Sequence, residues 1–232
     1  MTREANRRAF LAVVSEDPGI KLRARFKFSQ FGPLAIDALP GSTVRAIAKV
    51  FVDVGGIGEL SSARMHAFSK SPLPDDLVQI DGKNFVVEYD EALHLTTYRR
   101  ATLKSTLYRS LKVGFDRNAY LAACGMFRMP PGSKRAHVDP RPGVVDSTSP
   151  HLNFLCPTKP GECRHRQRAF YDFLKDVILG SGLRDYPGII RISDCTDFQP
   201  RQTPEEIAKH GSSDQKRALC DLLRQRAKGA AR

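Results

Sequence analysis

The sequence feature that most constrains the fold of this chain is an Asp-Gly dipeptide between two apolar runs. Asp81 and Gly82 separate the run 77–80 from the run 84–89. The tightest β-hairpin turns need positive φ at both central residues, and Asp-Gly supplies it at low cost. The pattern therefore predicts an antiparallel β-hairpin over residues 77–89.

Helical and strand patterns alternate around this hairpin. Residues 21–28 alternate between apolar and basic side chains, which is typical of a strand with one basic face. The predicted elements are, in order, a first helix closed by the turn 17–19, the strand 21–28, a helix capped by Ser42, the hairpin, a basic helix over 97–112, a helix over 164–179, a strand at 189–192 and two C-terminal helices, the first with a capping box from Thr203 to Glu206. Strands and helices mixed around one central sheet indicate an α/β (α+β) fold class.

The composition favours a globular protein with an anionic partner. The 232 residues include 37 Lys and Arg against 25 Asp and Glu, which gives a formal net charge of +12. This surplus favours nucleic acid as the partner, although positive charge alone does not identify one. At ~150 residues per domain, the length suits a single domain over 1–232.

The sequence carries no pattern typical of a membrane or secreted protein. No apolar run reaches the ~20 residues that span a bilayer, and residues 1–10 contain no signal-peptide core. The five cysteines are unevenly spaced in a chain too long to need a disulfide framework. We therefore expect no membrane partner and a reducing, cytoplasmic location.

Acidic side chains gather on and beside the predicted hairpin. Glu88 and Asp90 are two residues apart, so they share one face of a strand. Asp75 stands at the start of the preceding strand, across the hairpin. Carboxylates held this close repel one another, and a hard divalent cation relieves the repulsion. Because oxygen ligands of this kind suit Mg²⁺ or Mn²⁺, the three acids form a candidate metal site.

The same residues also fit a purely structural role. Asp75 can cap the turn before a strand, and Glu88 and Asp90 can form the solvated face of a half-exposed hairpin. His94, four residues after Asp90, can be an ordinary surface or core histidine. The functional interpretation is favoured by the apolar character of the strand, because buried acids are costly unless they are paired or bound to a metal.

The order of these residues resembles the PD-(D/E)XK nuclease superfamily, and within it the branch of the very-short-patch-repair endonucleases. The resemblance rests on Pro74-Asp75, on Glu88-Tyr89-Asp90 and on His94. A basic helix follows, and then an Arg-rich helix that leads to a strand containing Arg191.

This resemblance implies a restriction-endonuclease-like mixed central sheet flanked by helices. It covers a core of about 40–112 and 164–193. An irregular insertion at about 113–163 would interrupt the core, and a basic C-terminal helical extension at about 203–232 would follow it.

The resemblance also implies roles for individual side chains. Asp75, Glu88 and Asp90 would hold one or two Mg²⁺ or Mn²⁺ ions, and His94 would act as a general base or acid. The residues expected to contact nucleic acid are Arg99, Arg100, Lys104, Gln167, Arg168 and Arg191. Asp90 stands where most members of the superfamily carry lysine, so the strand itself offers no lysine to orient water.

Two functions follow as expectations. The first is a metal-dependent nuclease of a restriction, defence or repair type, which hydrolyses phosphodiester bonds in DNA rather than RNA. Double-strand cleavage would require two sites and hence favours a homodimer. The second is a non-catalytic nucleic-acid-binding protein, either a degenerate nuclease fold or a subunit of a ribonucleoprotein or viral assembly.

Two further motifs carry weaker signals. Cys156, Cys163 and His165 offer zinc-binding side chains, but their spacing fits neither a zinc finger nor a zinc ribbon, and buried thiols are the alternative. The segment Gly55-Gly56-Ile57-Gly58 lacks the lysine of a phosphate-binding loop and is predicted to stop a helix.

Overall fold

The computed structural model describes residues 3–26, 34–69, 75–126, 162–183, 187–198 and 202–231. The helices are α1 (Arg3–Ser15), α2 (Gly41–Asp53), α3 (Ser62–Ser69), α4 (Thr97–Leu103), α5 (Arg117–Met126), α6 (Glu162–Gly180), α7 (Pro204–His210) and α8 (Ser213–Ala231). The strands are β1 (Ile20–Phe26), β2 (Asp75–Ile80), β3 (Lys83–Asp90), β4 (Val113–Gly114) and β5 (Gly188–Ser193). Two 3₁₀ turns occupy Ala92–His94 and Thr106–Arg109.

The strands form one mixed five-stranded sheet in the order β1-β2-β3-β5-β4. The pairs β1–β2 and β2–β3 are antiparallel, whereas β5 runs parallel to both β3 and β4. The structure therefore confirms a mixed α/β (α+β) fold with a central sheet and flanking helices.

The hairpin forms where the sequence predicts it. Asp81 and Gly82 have φ of 49° and 82°, so both turn residues occupy the left-handed region. The register runs from Ile80↔Lys83 to Asp76↔Val87. This register places alternate residues of β3 on opposite faces of the sheet.

Each face of the sheet packs against its own layer of helices. On one face, Phe85, Val87 and Tyr89 of β3 join a core with residues of α1, α7 and α8. On the other face, Val86 of β3 and Ile189 of β5 pack against residues of α2 to α6. Glu88 and Asp90 share this second face, so both acids point into a helix-covered interior.

The first part of the predicted insertion belongs to the core. Val113 and Gly114 form β4, which pairs with Ile189 and Ile190 of β5. The position requires glycine, because a Cβ on Gly114 would lie 2.5 Å from the backbone oxygen of Arg226. A two-residue strand has no detectable periodicity, which explains why the sequence pattern places 113–126 outside the core. Residues 127–161, the rest of the insertion, lie outside the described part of the chain.

The predicted basic helix over 97–112 is two elements. Helix α4 begins after Thr96, whose side chain accepts a hydrogen bond from the backbone N–H of Arg99, and ends at Leu103. The side chain of Ser105 accepts a bond from the backbone N–H of Leu107 and starts the 3₁₀ turn that follows. The second capping residue, Ser105, therefore divides the segment that the charge pattern predicts to be one continuous helix.

The C-terminal segment forms part of the molecule's core layers rather than an appended extension. Leu223, Ala227 and Ala230 of α8 are buried against the sheet. Helix α7 begins as predicted, with the Thr203 side chain accepting a bond from the backbone N–H of Glu206. Among the described residues, no helix is long and apolar enough to cross a lipid bilayer.

Candidate metal centre

A buried charged network lies between the sheet and helix α6, near the C-terminal ends of the parallel strands β3 and β5. None of its members is more than 6% exposed. The network consists of the carboxylates Glu88, Asp90, Asp172 and Asp176, the basic side chains Arg99, Lys175 and Arg191, and His94. Within α6, Lys175 and Asp176 follow Asp172 by three and four residues, which places each of them next to Asp172 on the helix surface.

Three side chains of the network form a group that could hold a metal ion. One ligand atom each from Asp90, His94 and Asp172 lies within 4.8 Å of the other two. The His94 Nδ1 atom is 2.9 Å from Asp172 Oδ2 and 3.3 Å from Asp90 Oδ1. We call these residues the buried triad.

Arg191 contacts both carboxylates of the buried triad. Its Nη1 atom lies 3.0 Å from each oxygen of Asp90 and 3.6 Å from Asp172 Oδ1. Its Nε atom donates to Asp176 Oδ1 at 2.7 Å. Burial alone would lower the pKa of Arg191, but the surrounding carboxylates, led by Asp176, raise it well above its usual value.

The pKa values of both triad carboxylates are lowered despite their burial. Burial acts to raise the pKa of Asp90, yet the neighbouring Arg191 and His94 outweigh it and keep that pKa below its usual value. The same balance holds the pKa of Asp172 well below the usual range. Asp90 and Asp172 thus lie on either side of His94, and a metal ion bound there would compete with Arg191 for both carboxylates.

Further ion pairs extend the network on either side. Lys175 Nζ lies 2.6 Å from Glu88 Oε1. Arg99 Nη2 donates to Asp176 Oδ2 at 2.6 Å, and the Tyr108 hydroxyl donates to the same oxygen at 2.5 Å. Tyr120 of α5 donates its hydroxyl proton to Asp90 Oδ2 at 3.2 Å.

The structure brings some of the predicted metal ligands together. Glu88 and Asp90 share the interior face of β3, as the period-two pattern predicts, and His94 joins Asp90. The pairing of β2 with β3 ends at Asp76↔Val87, one residue before Asp75 would face Glu88. The side chain of Asp75 lies outside the described part of the structure. The next residue, Asp76, points to the opposite face of the sheet, where it forms an ion pair with Arg7 of α1.

The residues predicted to contact nucleic acid divide by burial. Arg100 and Lys104 are exposed on α4 and at its end. Arg168 is 27% exposed and lies 3.9 Å from Glu91. Arg99 and Arg191 are fully buried in ion pairs, and Gln167 is buried with its amide donating to the Tyr171 hydroxyl at 3.1 Å.

Sequence reasoning misses the contribution of helix α6. Asp172, Lys175 and Asp176 lie inside a run whose neighbours Phe173, Leu174 and Val177 are core residues. Charges within an otherwise buried helical stretch are the available signal, because a helix surrounded by protein carries them only when they are paired. The sequence pattern around Glu88 also predicts no lysine beside it, whereas in the structure Lys175 of α6 occupies that position.

The weaker motifs do not add to this site. Gly55 has φ of 84° and ends α2, with the Gly56 N–H bonded to the Phe51 carbonyl at 2.8 Å, so the helix stop is confirmed. Cys156 and the side chain of Cys163 lie outside the described residues, so the zinc site stays a prediction. Within the described ranges, the buried triad is the group of metal-binding side chains that the geometry brings together.

Comparisons with known proteins do not identify a function for this chain. No family model, curated protein or solved structure matches this chain. A functional assignment therefore depends on the chemistry of the site.

Proposed function

We propose that this protein is a metal-dependent nuclease that hydrolyses phosphodiester bonds, with DNA as the favoured substrate. The observation that carries the proposal is the buried triad of Asp90, His94 and Asp172 at the C-terminal ends of two parallel strands. Ligand sites in α/β sheets concentrate at these strand ends.

The donor set favours Mn²⁺ or Mg²⁺. Two carboxylates and one imidazole suit Mn²⁺, while Mg²⁺ prefers oxygen donors and would keep several waters. A bound divalent cation would activate water for attack on phosphorus and would neutralise charge on the phosphate. The geometry thus shifts the expected ligand set from Asp75, Glu88 and Asp90 toward Asp90, His94 and Asp172.

Residues around the triad support this chemistry in defined ways. Lys175 holds the Glu88 carboxylate beside the triad through their 2.6 Å contact. Lys175 can therefore orient the attacking water, a role for which β3 offers no lysine because Asp90 stands at that position. The exposed Arg100 and Lys104 can bind phosphates along the nucleic-acid backbone.

A second candidate function is a non-catalytic nucleic-acid-binding protein. The observation that favours it is the internal pairing of the network, in which Asp90 and Asp176 already bond Arg191, and Glu88 bonds Lys175. Such a network can serve the fold without any ion.

A cleavage assay distinguishes the two functions. We expect the protein to cut a panel of duplex and single-stranded DNA with Mn²⁺ or Mg²⁺ and to lose activity with EDTA. Asp172→Asn removes one charged ligand of the triad, so cleavage should fall at least about 100-fold while DNA binding persists, in line with the cost of disturbing metal-site residues. Asp221→Asn, at an exposed position of α8, is the matched control and should leave cleavage unchanged.

A different result in the same assay would contradict the nuclease function. Folded protein that binds nucleic acid but cuts none of the DNA or RNA substrates with either metal would favour the non-catalytic function.

A further inference from the structure

We infer that the buried triad binds a divalent cation cooperatively with an anionic phosphodiester, and that Arg191 is the residue that couples the two. The inference rests on the proposed function, because it concerns the metal and the substrate of the same site. It goes beyond that function because it predicts weak metal binding in the absence of nucleic acid.

The formal charge of the network disfavours a metal ion bound alone. In formal charge, four carboxylates face three basic side chains, which leaves a surplus of one negative charge with His94 counted as neutral, as a metal ligand must be. With no member more than 6% exposed, solvent screens these charges poorly.

A divalent cation alone would reverse the sign of this surplus. The network would then hold one unpaired positive charge in a buried site, which is unfavourable. One phosphodiester linkage brings one negative charge and restores neutrality. Each ligand therefore raises the affinity of the site for the other, as linkage requires.

Arg191 competes with a metal ion for the triad carboxylates. Its Nη1 atom lies 3.0 Å from both oxygens of Asp90 and 3.6 Å from Asp172, so it occupies the same carboxylates that a metal would bind. A guanidinium does not deprotonate in proteins, so this competing charge is permanent. Guanidinium groups bind phosphate oxygens through parallel hydrogen bonds, so a phosphodiester can accept the bonds that Arg191 now gives to Asp90.

A third, independent observation concerns Arg99. Its side chain is fully buried, and its Nε–H has no acceptor among the described residues. Arg99 belongs to the same network through Asp176. The network therefore has a hydrogen-bond donor in excess, which an additional anionic oxygen would satisfy and a metal ion alone would not.

The test is a titration of the full chain with Mn²⁺, followed by the electron paramagnetic resonance signal of free Mn²⁺. It is run without DNA and with a uniformly phosphorothioate duplex, which keeps its charge, resists cleavage and binds Mn²⁺. Binding by the duplex alone is subtracted, and His94→Ala protein reports binding outside the triad. We expect the His94-dependent site to bind Mn²⁺ at least tenfold more tightly with the duplex than without it.

The alternative outcomes separate this inference from the proposed function. Equal Mn²⁺ affinity with and without the duplex, at a His94-dependent site, would overturn the coupling and leave the nuclease proposal standing. No His94-dependent Mn²⁺ binding in either condition would overturn both.

Variants of Arg191 test its part directly. Arg191→Gln removes the charge, so Mn²⁺ alone should bind at least tenfold more tightly than to the wild type. Arg191→Lys keeps a cation and should retain weak binding. Circular dichroism establishes that each variant is folded, and a folded Arg191→Gln protein with wild-type Mn²⁺ affinity would contradict the role of Arg191. If Arg191→Gln does not fold, the comparison on wild-type protein decides the coupling.

Discussion

At the scale of single residues, the buried charges depend on their partners rather than on solvent. Glu88 and Lys175 are 2.6 Å apart, and their side chains are only 5% and 4% exposed. Removing one member of such a pair leaves the other charge buried and unpaired, whereas removing both leaves no unpaired charge.

This asymmetry predicts the behaviour of Lys175→Met. The single substitution should lower the free energy of unfolding by about 3–5 kcal/mol, because it leaves the Glu88 carboxylate without its cation. The double variant Glu88→Gln/Lys175→Met should lose clearly less than the sum of the two single losses. Urea denaturation measures all three, and strictly additive losses would show that the pair does not interact.

A matched control comes from a surface pair. Lys49 and Asp53 lie 2.8 Å apart on α2 with side chains 75% and 47% exposed. Lys49→Met should leave the free energy of unfolding almost unchanged, because solvent screens exposed pairs.

At the scale of elements, the hairpin between β2 and β3 fixes where the acids of β3 point. Its turn depends on positive φ at Gly82, where an added Cβ would meet no atom within 4 Å. Any effect of a side chain there is therefore a backbone effect and not a steric clash with neighbours.

Gly82→Ala isolates that effect. The substitution should lower the free energy of unfolding by about 1–2 kcal/mol, the cost of the left-handed conformation for a residue with a Cβ. Gly41→Ala at the start of α2 is the control, because its φ is not positive and an added Cβ makes only an ordinary 3.7 Å contact with Arg45. Thermal or urea unfolding measures both, and equal losses in the two variants would contradict the turn assignment.

The elements with strong local signals could be predicted from the sequence, and the site could be predicted only in part. Turn chemistry and capping residues identify the hairpin and α7, and period two places Glu88 and Asp90 on one face. The members on α6 come from far along the chain, since Asp172 lies 78 residues from His94 and Lys175 lies 87 residues from Glu88. No local pattern pairs residues at that separation, because the packing of α6 on the sheet decides it.

At the scale of the whole molecule, the basic residues behind the net charge of +12 are divided between an interior and a surface. Arg99, Lys175 and Arg191 face inward and compensate buried acids. Under the proposed function, nucleic acid would therefore bind through exposed cations such as Arg100 and Lys104, and not through all the basic residues that the sequence places near the site.

Salt dependence tests this division. The double variant Arg100→Ala/Lys104→Ala should weaken DNA binding and reduce the slope of log affinity against log salt by about 2, or about 1 for each lost phosphate contact. Fluorescence anisotropy over a salt series measures the slope. Lys49→Ala, a substitution of an exposed lysine on α2, is the control, and an unchanged slope in the double variant would exclude this surface from binding.

The central claim is that Asp90, His94 and Asp172 together hold a divalent cation. Anomalous diffraction from crystals grown with Mn²⁺ and a short phosphorothioate duplex tests it most directly. We predict an anomalous peak at coordination distance from all three side chains, with Arg191 turned from Asp90 toward a phosphate oxygen. A map with no peak there, in which Arg191 still bonds both oxygens of Asp90 beside bound DNA, would contradict the account.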